Sequence, residues 1–243
     1  MKVLITGGSG FLGLAITRQL QHLGYEITTL ARNFSNELKA LGVNQHLGPI
    51  DDYAAVSKAV SGQDAVIHTA AKAGVWGAFN DYYQANVVGT KNVLQACTEH
   101  EVRALVHVSS PSVVFDGTDQ EGVDESAPYP KDYLAPYPQT KAQAEQLVVA
   151  YSDERLARVI LRPHLIWGPG DNHLVPRVVE RSKVGALRLI GDGRKLVDAV
   201  YIDNAAAAHV AALHRLVERG VQSPVNGKIY FVTNFEPWPM EDI

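Results

Sequence analysis

Tyr137 and Lys141 are residues whose types and spacing could do chemistry together. They lie in the stretch APYPQTK, and residues four apart share one face of a helix. Pro138 is compatible with a first helical turn, and the QTKAQAEQLVVAY that follows is rich in strong helix formers. We therefore predict that the pair projects from the start of a helix. A phenol beside an ammonium group can exchange a proton with a substrate, but a tyrosine ring packed under a lysine side chain has the same spacing.

A glycine-rich loop near the start of the chain is a candidate binding site. The sequence TGGSGFLG follows the apolar run KVLIT and precedes a segment with apolar residues at helical spacing. In this context the glycines permit a tight turn, and backbone N–H groups approach a pyrophosphate at the positive end of a helix. The residues predicted to contact the phosphates are Gly7, Gly10, Phe11, Leu12 and Gly13.

The residue types at the end of the second predicted strand indicate which dinucleotide the chain would bind. NAD-binding sites commonly place an acid there to bind the ribose 2′-hydroxyl group. This chain has Arg32 and Asn33 instead, with no acid before Glu37. A guanidinium group matches a 2′-phosphate in charge and geometry, so we predict NADP as the cofactor, with NAD as a second possibility. A solvated surface arginine is the alternative interpretation.

Alternating strand and helix patterns must position these residues. We predict strands at 2–6, 25–30, 43–47, from 64, 104–110 and 157–163, and helices at 11–24, 52–61, 79–99 and 136–151. This rhythm indicates an α/β fold, a Rossmann-type doubly wound parallel sheet. Residues 1–163 would form the dinucleotide-binding domain. Residues 164–243 would form a mixed region, part of a small, shortened substrate lobe together with elements returning to the sheet.

Composition excludes several classes of function. The 243 residues are 46% hydrophobic and 20% charged, which is typical of a globular protein. The net charge of −4 disfavours a nucleic-acid partner, and the nine histidines show no metal-ligand spacing. No apolar run is long enough to span a bilayer, and the first strand begins where a signal peptide would lie. The single Cys97 suits a reducing compartment, so we expect a cytoplasmic protein without a metal site.

The order of several motifs resembles the extended short-chain dehydrogenase/reductase family. The motifs are TGGSGFLG, HTAAKAG (68–74), ANVVGTKNVLQAC (85–97), VSSPSV (108–113), the Tyr137–Lys141 pair and LRPHLIWGPGD (161–171). Within this family the chain is most similar to the 3β-hydroxysteroid and sterol-4α-carboxylate dehydrogenase branch. AAKAGVWG, LRPHLIWGPGD and LVPR also resemble the bacterial NADPH-dependent 2-alkyl-3-oxoalkanoate reductases of olefin biosynthesis.

The resemblance implies roles for individual residues. Tyr137 would be the general acid/base, Lys141 would lower its pKa and hold the nicotinamide ribose, and Ser110 would orient the substrate oxygen, with Ser112 as the alternative. The expected substrate contacts are Trp76, Ser112 and Trp167. Beyond the phosphate loop and Arg32, the expected cofactor contacts are Ile50, Ala70, Ala71, Lys72, Asn86, Ser109, Tyr137, Lys141, Pro163 and Leu165.

The function implied is an NADP-dependent oxidoreductase that interconverts a ketone and a secondary alcohol on a hydrophobic substrate, either a 2-alkyl-3-oxo or 3-hydroxy acid or a sterol-like molecule. One alternative is a nucleotide-sugar epimerase or dehydratase. Leu165 and Val197 disfavour it, because they replace residues that contact the nucleotide diphosphate in those enzymes. The other alternative is a regulator that binds NADP without turnover. The resemblance also implies a homodimer.

Overall fold

A computed structural model describes residues 1–74, 76–171, 174–188 and 191–242. The strands are β1 (Lys2–Thr6), β2 (Glu26–Ala31), β3 (Asn44–Leu47), β4 (Ala65–His68), β5 (Ala104–Val108), β6 (Ala157–Pro163), β7 (Leu165–Trp167), β8 (Leu196–Val197), β9 (Ala199–Tyr201), β10 (Ile229–Val232) and β11 (Trp238–Pro239). The α-helices are α1 (Phe11–His22), α2 (Asn36–Ala40), α3 (Tyr53–Val60), α4 (Phe79–Tyr82), α5 (Gly89–Glu99), α6 (Pro136–Ala150), α7 (Val175–Lys183) and α8 (Ile202–Arg219).

Seven strands form one parallel sheet, in the order β10-β6-β5-β4-β1-β2-β3. The chain runs outward in one direction from β1 to β3, then crosses back to β4 and runs outward in the other direction. The order therefore reverses between β1 and β4, and open α/β sheets bind ligands at the carboxyl ends of the strands at such a point. The predicted doubly wound α/β fold is confirmed.

Alternate residues of the central strands fill two apolar layers. Val3 and Ile5 of β1 pack with α1 and α8 on one face, whereas Leu4 packs with α3, α5 and α6 on the other. A strand places successive side chains on opposite faces, so a continuous apolar run is what a strand buried on both sides requires. These layers hold the carboxyl edge of the sheet rigidly.

Several boundaries differ from the predicted ones by one or more residues, and two of the differences bear on the site. β5 ends at Val108 rather than at residue 110, so Ser109 and Ser110 lie beyond the strand. The predicted helix over 79–99 contains a π-helical segment, Tyr83–Val88, between α4 and α5. After residue 163, α8 and β10 return to the main sheet, while β7, β8, β9, β11 and α7 lie outside it. No helix in the described residues is long and apolar enough to cross a membrane.

Three histidines are fully buried in the framework. His68 on β4 hydrogen-bonds Thr6 Oγ1 at 2.7 Å, His107 lies beside it on β5, and His209 on α8 contacts the Ala205 carbonyl oxygen at 2.6 Å. Burial lowers the pKa of His68 to about 3 and that of His209 to about 4, and it also lowers the pKa of His107. All three imidazoles are therefore neutral in the folded protein near neutral pH.

We predict that acid destabilises the protein through these imidazoles. Unfolding returns each pKa to about 6.5, so the unfolded chain binds more protons than the folded one below that pH. The free energy of unfolding therefore falls as the pH drops from 6.5, by about 1.4 kcal/mol per pH unit for each group while its folded form stays neutral. In urea titrations, His209→Gln should lose about 2 kcal/mol less than the unsubstituted protein between pH 6.5 and pH 5. The exposed His22→Gln is the control, and equal pH slopes for the two variants would contradict the prediction.

Candidate active site

A cleft of about 1120 Å³ lies at the carboxyl edge of the sheet, where its strand order reverses. It brings together the glycine loop, the ends of β4, β5 and β6, and the start of α6. Among the predicted site residues, the following line it: Gly7, Gly10, Phe11, Leu12, Gly13, Arg32, Ile50, Ala70, Ala71, Lys72, Ser109, Ser110, Ser112, Tyr137, Lys141, Pro163 and Leu165. Asn86, Trp76 and Trp167 are not in that lining.

The glycine loop has no room for side chains at two of its positions. Gly7 has a φ of +71°, and an added Cβ would lie 2.9 Å from Thr69 Oγ1. A Cβ on Gly13 would lie 2.3 Å from the Gly7 carbonyl oxygen. The Gly10 N–H donates to that same oxygen at 2.9 Å, which closes the turn directly before α1. The loop thus presents bare backbone at a helix N-terminus, which fits a pyrophosphate group.

Arg32 lies at the end of β2 with an exposed side chain that lines the cleft. Glu37, the first acid after β2, forms an ion pair with Arg18 instead. Within the described part of the chain, none of the ion pairs involves Arg32. Its guanidinium group is therefore available to a negatively charged ligand at the β2 end of the cleft.

Ser110 lies between the two other hydroxyl groups of the candidate catalytic centre. Its Oγ is 2.8 Å from Ser112 Oγ and accepts the Ser112 N–H at 3.2 Å. Burial raises the pKa of Tyr137, and a side-chain hydrogen bond with Ser110 opposes that rise. The expected lowering of the Tyr137 pKa by Lys141 is therefore not observed in this structure. Burial outweighs the hydrogen bond with Ser110, because the neutral phenol is favoured away from water.

Lys141 is almost fully buried, with 4% of its surface exposed. Its ammonium group donates a hydrogen bond to the Val108 carbonyl oxygen at 2.5 Å, which joins α6 to the end of β5. Burial lowers the pKa of Lys141 to about 8, and the negative charge of Glu145 opposes this effect. The side chain therefore remains largely charged at neutral pH and is held in place by the backbone.

Asn86 lies outside the cleft lining and hydrogen-bonds two of the segments that form the cleft. It lies in the π-helical segment, with its Oδ1 accepting the Lys72 N–H at 2.7 Å and its Nδ2 donating to the Lys72 carbonyl oxygen at 3.1 Å and to Thr140 Oγ1 at 3.0 Å. Such segments occur frequently at functional sites. This amide therefore connects the loop after β4 to Thr140 of α6, which lies between Tyr137 and Lys141 in the chain.

The remaining part of the cleft is lined largely by aliphatic and acidic side chains. Leu165, Ile166, Leu174 and Val197 lie there, together with His164, Asp171 and Asp198. Trp167 packs edge-on against Tyr201 at 5.1 Å, and Trp76 is 90% exposed. The structure therefore places Ser112 at the cleft, but places neither tryptophan there.

Two buried charged residues were missed by the sequence analysis. Glu145 and Arg162 form an ion pair with a distance of 2.5 Å between Arg162 Nη2 and Glu145 Oε1. One signal was available, because Glu145 follows Lys141 by four residues and so shares its helix face. The other signal was Arg162, which lies inside the apolar run ARVILRP.

In the described residues, no group of three or more His, Cys, Asp or Glu side chains could hold a metal ion.

Comparison with known proteins shows the family. Residues 4–242 match the model of the "3-beta hydroxysteroid dehydrogenase/isomerase family". A 2-alkyl-3-oxoalkanoate reductase of Stenotrophomonas maltophilia is 49% identical over all of this chain and 73% of its own length. A decarboxylating sterol-4-alpha-carboxylate 3-dehydrogenase of Candida albicans is 34% identical over 97% of this chain and 71% of its own length. The chain thus spans about seven-tenths of each of these relatives.

A solved structure supports the same conclusion about the fold. UDP-glucuronic acid 4-epimerase from Bacillus cereus, in complex with UDP-glucuronic acid and NAD, superposes with a TM-score of 0.83 and 25% identity, over 100% of this chain and 80% of that one. The predicted resemblance is confirmed, and so is the predicted oxidoreductase class, since the matched relatives are named reductases and dehydrogenases. The chain belongs to the 3-beta hydroxysteroid dehydrogenase/isomerase family, a branch of the NAD(P)-dependent extended short-chain dehydrogenases/reductases.

Proposed function

We propose that this protein is an NADP-dependent oxidoreductase that interconverts a 2-alkyl-3-oxo acid and its 3-hydroxy form. The observation that carries the proposal is the convergence of Ser110, Tyr137 and Lys141 on one cleft that also contains the glycine loop. The name of the 49% identical relative supports this substrate class. Its identity and coverage exceed those of the sterol dehydrogenase, so the alkyl acid is favoured over a sterol.

Bound NADPH would supply the hydride for reduction, and bound NADP⁺ would accept it in oxidation. Gly7, Gly10 and Gly13 would hold its pyrophosphate through backbone N–H groups, with Phe11 and Leu12 at the start of α1. Arg32 would bind the 2′-phosphate, and Ile50 would pack against the adenine ring. Ala70, Ala71 and Lys72 would lie against the cofactor after β4, and Ser109, Pro163 and Leu165 would complete the site at the nicotinamide end.

The proton transfer is assigned to Tyr137. In reduction its hydroxyl group would donate a proton to the substrate carbonyl oxygen as the hydride reaches the carbonyl carbon, and in oxidation the same proton returns. Ser110 would donate a second hydrogen bond to that oxygen, with Ser112 fixing the Ser110 hydroxyl group. The charged Lys141 would stabilise the phenolate formed in reduction, because an opposite charge nearby favours the ionised form.

The two alternative functions fit the cleft less well. They are a nucleotide-sugar epimerase or dehydratase and a regulator that binds NADP without turnover. Leu165 and Val197 both line it, so aliphatic groups occupy positions where a nucleotide diphosphate would need hydrogen-bond donors. A hydrophobic acid with an alkyl chain needs no hydrogen-bond donor at these positions. A regulator that binds NADP without turnover would not need a hydroxyl pair, a phenol and a buried ammonium in one cleft.

We predict turnover that depends on the Tyr137 hydroxyl group. NADP reduction, followed at 340 nm with a long-chain 2-alkyl-3-hydroxy acid, should fall by at least about 100-fold in Tyr137→Phe, since general acid–base catalysis contributes about 10²–10⁴-fold. The hydroxy acid is used because the 3-oxo acid decarboxylates spontaneously. Tyr133→Phe is the matched control, because Tyr133 donates to the Val113 carbonyl oxygen outside the cleft lining. Equal rates in Tyr137→Phe and the unsubstituted protein would contradict the assignment.

We predict that Arg32 selects the phosphorylated cofactor. Arg32→Ala should weaken NADPH binding by about 10- to 100-fold, because a charge-assisted hydrogen bond contributes about 1.5–3 kcal/mol. NADH binding should change little, since it lacks the 2′-phosphate. Titrations monitored by cofactor fluorescence test this, with Arg155→Ala as the control at an exposed ion pair with Glu101. Loss of NADPH and NADH affinity to the same extent would exclude a 2′-phosphate contact.

A further inference from the structure

Glu145 is a buried carboxylate for which the proposed proton transfer has no direct use. It lies on α6 one turn after Lys141, and its side chain is fully shielded from solvent. Its oxygens accept hydrogen bonds from Ser109 Oγ, from Tyr129 OH at 2.7 Å, and from Arg162 Nε at 3.1 Å and Nη2 at 2.5 Å. A buried carboxylate is strongly unfavourable without such compensation, and here both Glu145 oxygens are paired.

The three donors come from separate segments, and two of these segments, the ends of β5 and β6, border the cleft. Ser109 directly precedes Ser110 at the end of β5, and Arg162 directly precedes Pro163 at the end of β6. Tyr129 lies in the loop that leads into α6, and its ring is 5.9 Å from the Arg162 guanidinium carbon. One carboxylate therefore joins two strand ends and a loop to the helix that carries Tyr137 and Lys141.

Glu145 also acts on the charge of Lys141. Its negative charge opposes the lowering of the Lys141 pKa that burial produces. The other titratable groups that face Lys141 are Tyr137 on α6, His68 on β4 and His107 on β5. Burial raises the pKa of Tyr137 and lowers the pKa of both histidines, so none of them carries charge near neutral pH. From the π-helical segment, the buried Asn86 is uncharged. Within the described residues, Glu145 is thus the charged group that acts on the Lys141 pKa.

We propose that Glu145 is a positioning residue of the active site: paired with Arg162, it fixes Ser109 beside the catalytic serine and keeps a negative charge beneath the Lys141 ammonium group. The expected change in the pH profile of turnover rests on the proposed function, whereas the expected change in the Lys141 pKa does not. A purely structural anchor is the competing explanation. A buried ion pair can often be replaced by apolar residues without loss of stability, so stability alone cannot separate the two explanations.

The first test measures the pKa of Lys141 without relying on turnover. In protein labelled with ¹³C at the lysine ε carbons, a pH titration by NMR reports each ammonium group, and Lys141→Met assigns the Lys141 signal. Glu145→Gln should lower the pKa of Lys141 by about one unit or more, because it removes a negative charge and leaves Arg162 uncompensated. Glu101→Gln, at an exposed ion pair, should leave it unchanged. An unchanged Lys141 pKa in folded Glu145→Gln would overturn the proposal.

The double variant Glu145→Gln/Arg162→Met covers the case in which Glu145→Gln does not fold. It removes both charges of the Glu145–Arg162 ion pair, so neither partner is left buried without the other. The Lys141 pKa should still fall, by less than in the single variant. An unchanged value in this variant would equally overturn the proposal.

The second readout is the pH profile of kcat/KM for oxidation of the 3-hydroxy acid. In Glu145→Gln, Lys141 is charged over a narrower pH range and stabilises the Tyr137 phenolate less. The Tyr137 pKa therefore rises, and the acidic limb of the profile should move to higher pH. A uniform loss of rate with the limb unmoved indicates only a structural role and would overturn the proposal. A shifted Lys141 pKa in a protein without turnover would support the positioning role while refuting the proposed function.

Discussion

The parallel pairing of β1, β4, β5 and β6 is the constraint on which the rest of the structure depends. In-register pairing of neighbouring strands brings their carboxyl ends to one edge, and each end is followed by a segment that the site uses. The glycine loop follows β1, the Ala70–Lys72 segment follows β4, the serines follow β5, and Pro163 ends β6. Because both faces of the sheet are covered by helices, this edge is where the backbone of these strands is open to a ligand.

Burial of charge is the second organising feature. Lys141 lines the cleft and is buried beside two neutral histidines, and the buried Glu145–Arg162 ion pair lies one helical turn further along α6. In such a setting an electrostatic interaction is stronger than in water, and an unpaired group is correspondingly unfavourable. The Lys141 ammonium group contacts the Val108 carbonyl oxygen, and the Glu145 carboxylate accepts hydrogen bonds from three residues. The proposed catalytic tuning and the stability of the fold thus involve the same residues.

Patterns that are local in the chain predicted much of this arrangement. Glycine spacing, a strand before it and a helix after it were sufficient to place the nucleotide loop, and Tyr137 and Lys141 were found from a single helical turn. The Glu145–Arg162 pair was missed because its partners are 17 residues apart and meet only after α6 packs on β6. Trp76 and Trp167 were expected at the substrate, but aromatic composition does not determine which way a side chain points. The direction of the Tyr137 pKa also depended on burial, which a motif does not reveal.

The central claim is that hydride leaves the substrate carbon for the cofactor while the residues of this cleft handle the proton. It is tested most directly with a 2-alkyl-3-hydroxy acid that carries deuterium at C3, incubated with NADP and the protein. Mass spectrometry of the recovered cofactor should show NADPH one mass unit heavier, formed in equal amount to the alcohol consumed. Unlabelled cofactor with the deuterium retained at C3 or lost to water would contradict the account.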